Sequence, residues 1–324
     1  MPAEQQLAGV SDLFVVAAVL LYLAAMIGFA LELAFGRSKA DSAAVPARQP
    51  VGAGVGSAGG SSDAPAASDG PVVPETVVEP PAWAGKAGWA AMTLGWLGWA
   101  ANLAAIVTRG LAVDRWPWGN MYEFVVAICF AAVTAFLGTQ LRQNVRFLGA
   151  FVMVTAALGL GFAVKVLYTA AGPVVPALNS YWVAIHVTAA ILASGLFIVA
   201  GVAGILYLIR GDGMSRLPSR ADLERAAHRA IVFAFPVWTF AVIAGALWAD
   251  KAWGRYWGWD PKEVWAFITW VAYAAYLHAR VTAGWRGRAA TIVQLLAFGC
   301  LLFNLVGVNM FISGLHSYAD VSSG

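Results

Sequence analysis

Eight long apolar stretches recur along this chain, and their length constrains its fold more than any other feature. They lie near residues 12–35, 87–108, 121–140, 147–168, 183–209, 230–248, 262–280 and 290–312. A helix of about 20 apolar residues crosses a bilayer. The stretches are continuously apolar rather than alternating, which favours helices over a β-barrel. The sequence therefore predicts an all-α, polytopic integral membrane protein with about eight transmembrane helices in a lipid bilayer.

The positions of lysine and arginine predict how these helices are oriented. With the N-terminus outside, fourteen of the twenty basic residues fall in inner segments, as the positive-inside rule requires. Both termini are then expected on the outer side. No basic segment precedes the first span, which argues against a cleavable signal peptide. Because topology accounts for the basic residues, the charge pattern indicates no nucleic-acid partner.

Composition divides the chain into three parts. Residues 1–35 contain the first predicted transmembrane helix. Residues 36–83 are rich in Ala, Gly, Ser, Pro and Val with almost no aromatics, which is typical of a disordered linker, here on the cytoplasmic side. Residues 84–324 are expected to form a seven-helix membrane domain. Cys129 and Cys300 lie in separate spans without a C-x-x-C motif, which argues against disulfide chemistry and structural zinc.

A tryptophan-rich segment from Trp253 to Asp260 reads W-G-R-Y-W-G-W-D and is followed by P-K-E-V-W. Clustered tryptophans are typical either of an aromatic belt at a membrane surface or of a platform for a flat ligand. The interleaved glycines and the charges of Arg255 and Asp260 favour the platform, since a belt needs neither. The segment also predicts a helix start, with Asp260 as N-cap and Glu263 closing a capping box. Capping is either the whole role of Asp260 or part of it.

The four histidines are the candidate metal ligands. His186 lies at the outer start of the fifth span and His316 just beyond the outer end of the eighth, so both are expected on the side of the tryptophan loop. Two neutral imidazoles facing each other across an aromatic platform can ligate haem iron. His278 lies about 17 residues into the seventh helix, roughly 26 Å along its axis, too far to share that haem. It marks either a second, inner haem position or a histidine favoured by the helix dipole. His228 is interpreted as solvated surface.

The basic residues on the predicted outer side are candidates to neutralise the two propionates of a haem. Four of them are Arg255, Lys262, Arg115 and Lys165. For each one, generic interfacial placement of a long charged side chain is the alternative interpretation.

Two other classes of membrane protein fit the sequence less well. An ion-coupled transporter normally carries a carboxylate in mid-membrane and often an inverted repeat, and neither is visible here. A membrane cytochrome with permanent haem usually pairs histidines inside the bilayer, where only His278 is available.

The run W-G-R-Y-W-G-W-D-P-K-E-V-W resembles the WWD motif of the haem-handling proteins of cytochrome c biogenesis. The resemblance is greatest to the CcsA/ResC-type subunit of the system II cytochrome c synthase. It extends to P-W-G-N-M-Y-E (117–123), L-N-S-Y-W-V-A-I-H-V (178–187), Y-L-H-A-R (276–280) and G-L-H-S-Y-A (314–319). The number of spans fits this subunit better than it fits the haem delivery proteins of system I. Of these, CcmC-like chains have fewer spans and CcmF-like chains are much longer.

The resemblance implies a role for each candidate residue. His186 and His316 would ligate the iron of an outer haem, and His278 would ligate the iron of an inner one. The surface that holds the outer haem would be formed by Trp253, Trp257, Trp259 and Asp260, with Arg255 among the candidates for a propionate. Haem b would move to the outer face and be joined through thioethers to the C-x-x-C-H motif of apocytochrome c.

The resemblance also implies a partner and a location. A membrane subunit of the CcsB type (also named Ccs1 or ResB) would supply a second transmembrane histidine and an external domain. This chain would then be only part of the synthase, or haem lyase, and active together with that partner. The complex is expected in a bacterial plasma membrane, or in a thylakoid membrane, with its haem site on the outer or lumenal face.

Overall fold

The computed structural model describes residues 3–36, 81–174, 178, 180–210, 217–282 and 284–316. Within these residues the chain forms helices joined by short loops and contains no strand, which confirms the predicted all-α class. The long helices are α1 (Ala3–Phe35), α2 (Ala82–Val113), α3 (Met121–Gln140), α4 (Gly149–Val166), α5 (Tyr181–Ile209), α6 (Arg220–Trp253), α7 (Pro261–Thr282) and α8 (Gly287–Leu302). A 3-10 turn (Arg146–Leu148) precedes α4, and α8 continues through a π-helical turn (Phe303–Gly307) into the short α9 (Val308–Phe311).

Seven membrane-spanning candidates are found in the described part of the chain: α1 to α6 and the run from Gly287 to Phe311. The prediction of a polytopic membrane protein is confirmed. Helix α7 has 22 residues and lies where the seventh of the eight spans is expected, near 262–280, but it is not among the seven candidates. Lys262, Glu263, His278 and Arg280, with several Trp and Tyr, lower its apolar character. That α7 crosses the membrane and that both termini lie outside remain predictions.

Several helices extend beyond the predicted spans, and α1 and α6 do so furthest, at their N-terminal ends. Helix α1 already begins at Ala3, and α6 joins the amphipathic segment around His228 to the span expected at 230–248. Helix α6 ends at Trp253 because Gly254 adopts a left-handed conformation, with φ of 71°. Trp253 is therefore helical rather than part of the loop. Most of the predicted linker, residues 37–80, lies outside the described residues.

The helices pack through small residues. A Cβ at Gly98 of α2 would come within 2.6 Å of the Tyr22 ring on α1, so glycine allows close contact there. Ser11 of α1 also donates to the carbonyl of Ala105 on α2, at 2.8 Å. Such contacts hold helices together in membranes, where lipid tails are as apolar as the helices. Helix α5 is the most buried span and packs against α3, α6 and α8.

A buried ionic cluster holds the loop between α2 and α3. Glu123, in the first turn of α3, accepts hydrogen bonds from Nε of Arg109 at 3.1 Å and from Nη1 of Arg115 at 2.9 Å. It also accepts from the amide of Gly119 at 2.8 Å. Both arginines donate further to carbonyl groups of the segment that follows α4. The cluster therefore fixes the loop that carries Trp118.

Candidate functional site

A cleft opens at the end of the bundle where α5 and α7 begin and α6 ends. It encloses about 1160 Å³, its open mouth included. Its wall is mainly apolar and contains five tryptophans: Trp118, Trp238, Trp248, Trp253 and Trp257. The ionisable and amide side chains in the described wall are those of Asn120, His186, Tyr256, Lys262, Glu263, Asn304, Asn309 and His316. A concave apolar surface with a few polar groups is the usual form of a ligand site.

The structure brings the two predicted outer histidines to this one cleft. His186 lies in the second turn of α5, and His316 follows α9 near the C-terminus. Both rings contact Trp248 near the end of α6, with centroid distances of 6.1 Å for His186 and 5.6 Å for His316. The Trp253 ring lies 5.1 Å from that of His316. Two imidazoles that are remote in sequence therefore share one aromatic wall.

Each imidazole is oriented through its Nδ1 atom. Nδ1 of His186 lies 2.8 Å from the carbonyl oxygen of Ala241. Because a carbonyl only accepts, this contact assigns the proton to Nδ1 and the lone pair to Nε2. Nδ1 of His316 lies 2.7 Å from Oδ2 of Asp260. A carbonyl or carboxylate on one ring nitrogen is the usual support of a histidine that ligates a metal through the other.

Helix α6 presents one face to His186. Ala241, Gly245 and Trp248 follow one another at spacings of four and three residues, which places them on the same side of the helix. Ala241 accepts the hydrogen bond, Trp248 stacks on the ring with an interplanar angle of 11°, and Gly245 leaves the space between them. A Cβ at Gly245 would lie 2.8 Å from two atoms of the imidazole. The position therefore tolerates no larger side chain without movement.

Asp260 connects the start of α7 to His316. Its Oδ2 accepts from the amide of Lys262 at 3.2 Å, and Oε2 of Glu263 accepts from the amide of Asp260 at 3.0 Å. The predicted capping box is thus confirmed. The same carboxylate accepts from the amide of Leu315 at 2.6 Å and contacts His316. Capping is therefore only part of the role of Asp260.

The charge of Asp260 is stabilised where it lies. Burial alone would raise the pKa of this carboxyl. The hydrogen bonds from His316 and from the Leu315 amide outweigh burial, so that the pKa of Asp260 lies below its ordinary value. The carboxylate is consequently ionised at neutral pH and can orient the imidazole beside it.

Trp259 adopts a left-handed backbone conformation, with φ of 58°. This conformation costs a bulky residue about 1–2 kcal/mol. It directs the amides of Gly258 and Asp260 towards a single oxygen of Glu263, at 2.9 Å and 3.0 Å. Paired amides of this kind form a small anion-binding nest. The strained residue therefore shapes the loop that leads into α7.

The residues of the tryptophan segment do not all line the cleft. Trp253 and Trp257 line the cleft. Trp259 is 70% exposed and meets Trp257 edge-on at 5.8 Å, outside the wall. Arg255 is exposed and its guanidinium lies against Gly258. That Trp259 and Arg255 help to hold a haem remains a prediction.

His278 lies apart from the cleft, towards the other end of α7. Its side chain is exposed, and Nδ1 lies 3.4 Å from Oγ1 of Thr282. Nearby, Nδ1 of His228 lies 3.4 Å from the Tyr276 hydroxyl. His228 is half-buried, so the interpretation of this residue as solvated surface is wrong. The joining of its segment to α6 is what brings it against α7.

Sequence reasoning missed several residues of the cleft, among them Trp248, Gly245 and Asn304. Trp248 and Gly245 fall inside or at the edge of a span, where composition alone explains them. The spacing of Ala241, Gly245 and Trp248 is the signal that was available, since a small, small, aromatic pattern on one helix face indicates a close neighbour.

Comparison with known proteins bears on the same residues. The family model of the cytochrome c assembly proteins matches residues 118–316. The chain belongs to this family. The matched range includes the whole described wall of the cleft, from Trp118 to His316.

Individual relatives agree with this assignment. The cytochrome c biogenesis protein CcsA of Guillardia theta is 33% identical over 238 residues, which cover 65% of this chain and 79% of that protein. CcsA of Synechococcus elongatus is 31% identical over 287 residues, covering 71% and 86%. CcsA of Gloeobacter violaceus is 29% identical over 278 residues, covering 67% and 82%. The chain therefore acts in cytochrome c maturation, a process that involves haem and apocytochrome c, and an unrelated transporter is excluded.

Proposed function

We propose that the cleft binds haem b, with His186 and His316 as the axial ligands of its iron, and presents it to apocytochrome c. The observation that carries this proposal is the pair of imidazoles in one aromatic cleft, each oriented through Nδ1. Haem is flat and largely apolar, and tryptophan rings offer it large, rigid surfaces. The cleft faces the outer or lumenal side, because the inner segments hold most of the basic residues.

Attachment of the haem to the apocytochrome depends more on the orientation of the haem vinyl groups than on a catalytic group of this chain. Each cysteine S–H of the C-x-x-C-H segment adds across one vinyl C=C of the haem. The sulfur bonds to one vinyl carbon and the hydrogen is transferred to the other, with no leaving group and no net electron transfer. The thiols come from the substrate, and neither Cys129 nor Cys300 is part of the described cleft wall. The contribution of this chain is to hold the vinyl groups where the thiols can reach them.

His278 has a separate role in this proposal, at an inner haem site. It shares the exposed face of α7 with Phe267 and Val271, each 45% exposed. An imidazole that faces lipid is costly, so a face of this composition favours a helix of another subunit as its neighbour. A partner of the CcsB type would cover the face and supply the second ligand. Haem would then pass from that site to the cleft.

The test is an absorption spectrum of the chain purified with its partner subunit. His186→Ala and His316→Ala should each remove the spectrum of six-coordinate haem from the cleft, and added imidazole should partly restore it. His228→Ala is the matched control and should leave that spectrum unchanged. His278→Ala should lower the amount of haem that reaches the cleft. If both outer alanine variants keep the wild-type spectrum, the proposed ligation is wrong.

A further inference from the structure

The π-helical turn Phe303–Gly307 forms part of the cleft wall and presents amide side chains there. In an α-helix, residues five positions apart point about 140° away from each other, since each residue turns by about 100°. A π-turn closes its hydrogen bond over five residues and brings such positions towards the same side. Asn304 and Asn309 are five apart, and both line the cleft. The irregular turn is therefore what gives the cleft two amides.

Asn304 carries a polar atom that lacks a protein partner. The residue is 2% exposed, and its Oδ1 is buried without a hydrogen bond to any described residue. Buried side-chain amides are normally paired, so an exception needs an explanation. Here the side chain lies in the wall of a cleft, which points to a bound molecule as its partner. An amide can present either its oxygen or its NH2 group to such a molecule.

Lys262 places a positive charge beside the same turn. Its Nζ donates to the backbone carbonyl of Asn304 at 2.7 Å, and it forms no ion pair with any residue that the structure describes. The neighbouring carboxylates are already engaged: Asp260 holds His316 and two amides, and Glu263 accepts from two amides. An ammonium group that meets only a neutral carbonyl in an apolar wall favours the arrival of an anion.

The other basic residues that the sequence offers for this role are placed less well. The guanidinium of Arg115 is bound by Glu123, at 2.9 Å. Arg255 and Lys165 are exposed, and neither belongs to the described wall of the cleft. Lys262 is the one of the four that lines it.

We propose that Lys262 and Asn304 form a carboxylate subsite that takes one propionate of the haem. The inference rests on the proposed function and deepens it, because it sets which edge of the macrocycle points towards α7 and the π-turn. The ammonium of Lys262 donates to the carboxylate. The Asn304 amide, turned so that its NH2 group takes the place of the unpartnered Oδ1, donates a second hydrogen bond. The vinyl edge of the haem then points away from this wall, towards the mouth where a peptide can enter.

The experiment compares ferric haem with ferric haem dimethyl ester, whose propionates carry no charge. Both are titrated into the purified complex, and Kd is measured from the Soret band. Lys262→Met removes the ammonium but keeps the length of the side chain. It should weaken haem binding about 10- to 100-fold, the range of a charge-assisted hydrogen bond, and leave the affinity for the ester within about twofold. Lys251→Met, at a lysine whose side chain is 65% exposed, is the control and should change neither affinity.

Each other outcome has a distinct meaning. If Lys262→Met weakens both ligands equally, or neither, the carboxylate subsite is wrong while the haem cleft stands. If the wild type binds neither ligand, the proposed function fails and this inference with it. Asn304→Asp gives an independent test should Lys262→Met fold poorly. A carboxylate there should repel the propionate, so the substitution should weaken the binding of haem more than the binding of the ester. An equal change in the two affinities would overturn the inference.

Discussion

Gly245→Ala tests the histidine pair without changing either histidine. Helix α6 has no side chain at this position, and an added Cβ would lie 2.8 Å from Cε1 and Nδ1 of His186. Real Cβ atoms essentially never lie closer than 3.0 Å to such a neighbour, and ordinary van der Waals contact begins at 3.4 Å, so the imidazole or the helix must shift by a few tenths of an ångström. The movement is resisted by the hydrogen bond to Ala241, at 2.8 Å, and by the stacked Trp248. The shift is therefore expected to disturb the hydrogen bond or the direction of Nε2.

The expected effect separates ligand binding from folding. Alanine is favoured over glycine in a helix by about 0.5–1 kcal/mol, so helix propensity does not oppose the variant. Disturbing the group that orients a metal-ligating histidine typically costs 10- to 100-fold in affinity. Gly245→Ala should therefore raise the Kd for haem by about that factor, measured by Soret titration. The thermal unfolding temperature of the haem-free protein should change little.

Gly299→Ala is the matched control for this variant. Gly299 is also helical, and a Cβ there meets nothing within 4 Å. It should keep the wild-type affinity for haem. If the two glycine variants bind haem equally well, His186 does not depend on the space that Gly245 leaves, and the reasoning is refuted.

Three further substitutions test other parts of the site. Glu123→Gln leaves the buried guanidinium of Arg109 and the partly buried one of Arg115 without their carboxylate, and it should lower the free energy of unfolding by about 3–5 kcal/mol in thermal melts. Glu4→Gln, at an exposed residue, is the control and should have no measurable effect. Asp260→Asn should weaken haem binding about 10- to 100-fold, because a neutral amide orients His316 less firmly. Hydrogen bonds hold the pKa of Asp260 below its ordinary 3.8, so its stabilising effect is present above that pH and is lost as pH falls through the lower folded value. The stability difference between wild type and Asp260→Asn should shrink in that range, and a constant difference would contradict this. Trp248→Ala should bind haem more weakly than Trp248→Phe, and equal Kd values would show that the ring does not matter.

Local chemistry explains what could be predicted from the sequence. The helices follow from apolar stretches long enough to cross a bilayer, and the capping box from four consecutive residues beginning at Asp260. The meeting of His186 and His316 needed only the order of the spans, because alternating helices return the start of the fifth and the end of the eighth to one side. None of these predictions required a contact between specific side chains.

The features of the site that the sequence did not predict depend on contacts between distant residues, which no local sequence pattern reveals. The bond between Asp260 and His316 joins residues 56 positions apart, and the exposure of Trp259 depends on the backbone conformation of its loop. The π-turn that brings Asn304 and Asn309 together is an irregularity in an otherwise apolar helix. Hydropathy cannot distinguish such a turn from a regular helix, although the turn determines which side chains reach the cleft.

The first turn of α7 explains why the tryptophan motif continues without a gap into charged residues. Asp260 orients His316, Lys262 binds the π-turn, and Glu263 holds the amides of the loop that carries Trp257 and Trp259. One helix start thus positions the proposed iron ligand, the proposed propionate partner and the aromatic loop relative to one another. A displacement of that turn would move all three together, whereas His186 is positioned independently by α6. The motif therefore forms one half of the proposed haem site, and α5 with α6 supplies the other.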